Sequence, residues 1–62
     1  MNIKSFETID RFTDLLIFED GSCFFQRYPD KLISIEKYES RDKAIQNFNL
    51  GEVYWEKGDE KL

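Results

Sequence analysis

Residues Leu15 to Tyr28, LLIFEDGSCFFQRY, are two apolar runs hinged on Asp20-Gly21. Asp-Gly between β-prone segments is the strongest short-range hairpin signal, because a tight turn needs positive φ at its centre. The pattern predicts strands over Thr13 to Glu19 and Ser22 to Tyr28. A turn of two or four residues would face Phe18 with Cys23, Leu16 with Phe25 and Asp14 with Arg27 on one surface, leaving Leu15, Ile17, Phe24 and Tyr28 for the other. Both faces are then apolar, and both need cover.

Upstream, Ile3, Phe6, Ile9 and Phe12 recur every three residues behind Ser5, which predicts a short N-terminal amphipathic helix capped by that serine. After the hairpin, Pro29-Asp30 marks a turn. Residues 31–49 admit two arrangements. In the favoured one, Leu32 to Glu39 is a strand with Ile33 and Ile35 on one side and Ser34 and Glu36 on the other. Ser40 then caps a helix with Ala44, Ile45 and Phe48 on one face, Asp42 in the first turn and Gly51 at the stop. In the other, one helix runs from Pro29 to Asn49 and carries Arg41 or Asp42 inside its apolar stripe. Glu52 to Glu56 closes the chain as a strand, Val53 and Trp55 on one face and Tyr54 on the other.

The expected fold is α+β: a small antiparallel sheet of three or four strands with one main helix on one face and the short N-terminal helix besides. One domain spans residues 1–62, with 58–62 as a frayed tail. Phe24, Tyr28 and Tyr54 line the second sheet face, which is either an interface or the floor on which the N-terminal segment lies.

Size sharpens the problem of cover. A chain of 62 residues buries only about 60% of its unfolded surface. Chains this short often add disulfides, metals or a second subunit. One cysteine and no histidine leave neither an internal disulfide nor the usual zinc ligands, so a homodimer is the remaining route and no cofactor is expected. The aromatic content, 16%, argues for a folded chain. The longest apolar run, Leu15 to Phe18, is far short of a membrane span, and the acidic N-terminal stretch is unlike a signal peptide; together with the free Cys23 this predicts a cytoplasmic protein without membrane contact.

Enzymatic chemistry has little to stand on. Nucleophilic and acid–base catalysis need a nucleophile with a nearby base, and histidine is absent. Cys23 reads as a small buried hydrophobe, the isolated glycines at 21, 51 and 58 form no phosphate loop, and Glu19-Asp20 lacks the alternating oxygen ligands of a calcium site. The chain reads as non-catalytic.

The net charge of −4 is concentrated at the two ends, with a near-neutral middle. That field repels polyanions, so direct nucleic-acid binding is the weakest of the binding readings, although Phe24, Tyr28, Arg27 and Lys31 form a fragment of a single-strand-binding pattern. It attracts a basic surface instead. Glu52, Glu56, Asp59 and Glu60, with Glu7, Asp10 and Asp14, are the steering candidates; Tyr54, Trp55, Tyr28 and Phe24 are the anchor candidates, Trp and Tyr being the types most enriched at interface hot spots. Trp55 serves equally well as core.

This combination of a tiny chain, a hairpin with an Asp-Gly turn and acidic groups beside an aromatic-rich sheet resembles small acidic phage-encoded inhibitors, the anti-CRISPR proteins and the phage inhibitors of uracil-DNA glycosylase. The resemblance is one of type and carries over no functional residues. It implies a module that occupies the working surface of a larger, basic, nucleic-acid-handling host protein. The alternative is a small structural or regulatory accessory subunit acting as a homodimer.

Overall fold

The computed structural model describes residues 2–58. The fold is α+β, a five-stranded antiparallel sheet in the order β1 to β5 with one helix. The strands are β1 (Ile3–Asp10), β2 (Thr13–Phe18), β3 (Cys23–Arg27), β4 (Leu32–Ser34) and β5 (Trp55–Lys57), with α1 (Arg41–Asn49) between the last two. Among the described residues no helix is long and apolar enough to cross a membrane.

The hairpin signal produces β2 and β3, with a turn of odd length. Glu19, Asp20 and Gly21 form the loop, closed by Gly21 N–H to Phe18 C=O at 3.0 Å and Phe18 N–H to Ser22 C=O at 2.8 Å. The last residue of this three-residue loop takes a positive φ, and Gly21 at φ 91° fills that position without a Cβ penalty. The Asp20 carboxylate accepts from both the N–H and the hydroxyl of Ser22, at 2.9 and 2.6 Å. An odd loop shifts the pairing by one residue from the even-turn expectation. Ile17 pairs with Cys23, Leu16 with Phe24, Leu15 with Phe25, Asp14 with Gln26 and Thr13 with Arg27. A shift of one changes which side chains share a face. Leu15, Ile17, Cys23 and Phe25 now point together toward the core, and Leu16, Phe18 and Phe24 point away from it.

The N-terminal helix does not form; that segment is β1, hydrogen-bonded along β2. The register is irregular between Ile3 and Ser5 and again between Thr8 and Asp10, which makes Lys4 and Ile9 the extra residues of two bulges. A bulge returns residues three apart to the same side of a strand, so Ile3 and Phe6 share a face and imitate a helical period. Ile9, in the second bulge, packs against the core. The N-terminal segment is therefore an edge strand and does not lie across the sheet.

The single long helix from Pro29 is likewise absent, and the third strand ends at Ser34, well before Glu39. The Ser34 hydroxyl accepts from Phe25 N–H at 2.9 Å and donates to the Glu36 carbonyl at 3.0 Å, standing in for a ladder bond where the chain bulges. Pairing resumes at Tyr38, which exchanges two backbone bonds of 2.7 and 2.8 Å with Cys23. Ser40 then caps α1 as expected, its Oγ accepting from Lys43 N–H at 3.2 Å, and Gly51 follows the helix at φ 71°. Strand β5 begins at Trp55, three residues later than the predicted start at Glu52. It makes the fifth strand where three or four were expected. Gly58 is buried and its N–H donates to Lys31 C=O at 2.8 Å, so this residue of the expected tail is anchored; residues 59–62 lie outside the described residues.

The core lies between the sheet and α1. Leu15, Cys23, Phe25, Tyr38 and Ala44 are buried, with Ile9, Ile17, Ile45, Phe48, Val53 and Trp55 packed around them. Phe25 sits at the centre, its ring 5.2 Å from that of Phe48, 5.7 Å from Tyr38 and 6.3 Å from Trp55. Replacing a buried Phe by Ala costs about 3–5 kcal/mol, close to the whole stability of a domain this small. Phe25→Ala is expected to abolish the cooperative thermal transition seen by circular dichroism. Gly21→Ala, which strains one turn residue, is expected to keep that transition at a lower midpoint.

Candidate protein-binding face

The helix covers one side of the sheet. On the other, strand pairing arranges the outward side chains in three rows: Ile3 and Phe18; Phe6, Leu16 and Phe24; and Thr8, Asp14, Gln26, Ile33 and Glu56. Ile35 and Tyr54 extend the apolar part toward β5, joined by Ile35 N–H to Tyr54 C=O at 2.8 Å. Phe6 and Tyr54 are each 66% exposed and Ile3 and Ile35 more than half, so a contiguous apolar surface faces solvent. Phe18 and Phe24 stack at 5.5 Å in its middle. The Lys37 ammonium lies 4.6 Å from the Phe18 ring centroid, a cation–π contact that places positive charge at one end. Asp14 carries negative charge at the other.

The candidate anchors divide. Tyr54 and Phe24 belong to this face, and Glu56 stands on it opposite Ile33. Trp55 points the other way, half-buried against Phe25 beneath the Arg27 guanidinium, which is 5.2 Å from its ring. Tyr28 lines a separate shallow cavity of about 310 Å³ at the β3–β4 turn, with Phe12, Arg27, Pro29, Asp30 and Leu32. Glu52 is exposed in the loop after α1, its N–H donating to Asn47 C=O. Ile3, Phe6, Leu16, Phe18 and Ile35 belong to the face and were not among the expected anchors. The β1 bulges bring Ile3 and Phe6 to this side and the odd turn sets Leu16 beside Phe24, and neither can be read from alternation alone; Ile35 follows from alternation with the buried Ser34.

Several carboxylates have internal duties. Glu7, on the core side of β1, accepts two bonds from Arg41 at 2.6 and 2.7 Å, tying the first strand to the start of α1. These bonds hold its pKa below the ordinary carboxylate value. Asp10 is likewise lowered, chiefly by the Phe12 N–H, which donates to it at 2.9 Å, and Asp20 by the Ser22 hydroxyl and then the Ser22 N–H. The Cys23 thiol is fully buried, contacts the Gly21 carbonyl at 3.4 Å, and is pushed up in pKa by that burial. Asp59 and Glu60 lie outside the described residues.

Comparison with protein-family models, with curated proteins and with solved structures finds no match to this chain.

Three carboxyl groups with lowered pKa give stability a defined pH dependence. Each binds protons more weakly in the folded state, so each contributes where it is ionised and loses that contribution as pH falls through its folded-state pKa. Urea midpoints are expected to be level from neutral pH to about 5 and to decline below about 4. Glu7→Gln is expected to flatten part of the decline, because it removes one of the three groups.

Proposed function

We propose that this chain is a non-catalytic protein-binding module and that the open sheet face is its working surface. The observation that carries the reading is the apolar surface from Ile3 and Phe6 through Phe18 and Phe24 to Tyr54, left without cover by any described element. Soluble domains seldom expose contiguous apolar area of this kind unless it meets a partner. Its make-up suits binding: aromatic anchors at the centre and charge at the ends.

In its inhibitor form the module docks on a larger, basic, nucleic-acid-handling protein, with Phe24 and Tyr54 as anchors and Asp14 and Glu52 steering. The carboxylates available for steering are fewer than the net charge implies, because Glu7, Asp10 and Asp20 are engaged within the fold. In its accessory-subunit form the partner is another copy, a reading favoured by the opposite charges at the two ends of the face.

Capture from host lysate separates specific docking from general stickiness when two equally exposed apolar residues are compared. Phe6 (66% exposed) is on the open face and Leu50 (62%) is at the C-terminal end of α1. Phe6→Ser and Leu50→Ser should both fold, with stability changes within about 0.5 kcal/mol. Bound protein is expected to be lost with Phe6→Ser and kept with Leu50→Ser; equal retention by the two variants would refute the assignment of this face. For the inhibitor form, capture is expected to weaken as salt rises, since exposed charges are screened over about 10 Å at 0.1 M.

A further inference from the structure

We infer that the occupant of the open face is a second copy of this chain, the two sheets packing face to face about a two-fold axis that runs across the strands through the row Phe6–Leu16–Phe24. The inference rests on the reading of this face as a binding surface and adds the identity and orientation of what binds.

Symmetry sets a demanding test. In a two-fold contact the same patch serves both partners, so a residue on the axis meets itself and a residue off the axis meets the opposite end. Charge on the axis would repel its own image. The middle row carries none: Phe6 pairs with Leu16 and Leu16 with Phe24. Away from the axis the requirement reverses, and opposite ends must complement one another. One end holds Lys37, seated on the Phe18 ring with the Asp20 carboxylate of the β2–β3 turn within reach of its charge. The other, two residues along β2 beyond Leu16, holds Asp14, between Thr8 and Gln26 in its row. A rotation about the middle row lays the Lys37 end of each copy over the Asp14 end of its partner, twice per dimer. Inner-face packing of this kind is the aligned arrangement of β-sandwiches, with sheets about 10 Å apart.

Area bears on strength. The five strands hold 8, 6, 5, 3 and 3 residues, which at about 3.4 Å by 4.8 Å per residue make a sheet face of about 400 Å², below the roughly 800 Å² per partner of a standard stable interface, so the dimer is a weak one that comes apart on dilution. The second copy also supplies what a small chain lacks: among the described residues five hydrophobic side chains are buried in one copy, and stacking would bury Leu16, Phe18 and Phe24 as well.

The free edges are poorer docking sites. Strand β1 is interrupted by two bulges and carries Lys4, Glu7 and Asp10, features that discourage edge-to-edge pairing, and β5 has three residues.

Sedimentation equilibrium of the full chain over a dilution series tests the inference, with circular dichroism confirming the fold of each variant. Wild type is expected to reach twice the mass of one chain and to dissociate on dilution. Phe6→Ser is expected to raise the dimer Kd by at least about thirtyfold. Lys37→Glu and Asp14→Lys are each expected to raise it about tenfold, since each puts like charges together at two places. The double variant Lys37→Glu/Asp14→Lys is expected to recover most of the wild-type affinity, because the reversed ends again complement. A wild type that is monomeric throughout the series overturns the inference. So does a dimer indifferent to Phe6→Ser, or one that the double variant weakens as much as both single reversals together. If wild type is monomeric while Phe6→Ser still abolishes capture of a different protein, the open face remains a binding surface and only its occupant is wrong. If neither dimer nor capture depends on Phe6, both readings fall.

Discussion

The length of one turn governs this molecule. Glu19, Asp20 and Gly21 make a three-residue connection, and because that number is odd, Leu15 stands opposite Phe25 rather than Gln26. From that pairing follow the buried pair at the heart of the core, the packing of Phe48 and Trp55 on Phe25, and the exclusion of Leu16, Phe18 and Phe24 to the far side. Alternation in a strand has a period of two, so the turn sets the phase for every residue up to Arg27. The turn itself is held by two backbone bonds and by the Asp20 carboxylate, with glycine where φ must be positive.

Sequence pattern was most informative where one residue type has one mechanical use. Asp-Gly marked the hairpin, Ser40 marked the start of α1, Gly51 its end, and the 3.6-residue spacing of Ala44, Ile45 and Phe48 marked its buried side. It misled where two periodicities coincide. A strand with bulges at Lys4 and Ile9 spaces its same-face residues as a short helix does, and only pairing with β2 decides between them. It was silent on long-range substitutions such as the Ser34 hydroxyl serving the Phe25 amide, since nothing local distinguishes a serine that replaces a ladder bond.

The candidate site was legible in part for the same reason. Alternation places Tyr54, Phe24 and Tyr28 on the second face; the first two belong there, whereas Tyr28, just past the end of β3, lines the cavity at the Pro29 turn, and Trp55, an anchor candidate by residue type, lies under Arg27. Acidity proved a blunt guide. Glu7, Asp10 and Asp20 look alike in a charge count, yet one bridges a strand to the helix and two tie local turns together. What distinguishes a steering charge from a structural one is the donor it faces, and that depends on tertiary structure.

The placement of Trp55 has an optical consequence. It is the single tryptophan, stacked under a guanidinium on the core side of the last strand and shielded by the sheet from the opposite surface. Its emission should therefore follow the integrity of β5 and of the aromatic cluster around Phe25, and stay constant while anything docks on the far side. Nature has built into this chain a fluorophore for folding that is blind to association, so that the two processes can be followed separately in one cuvette without a label.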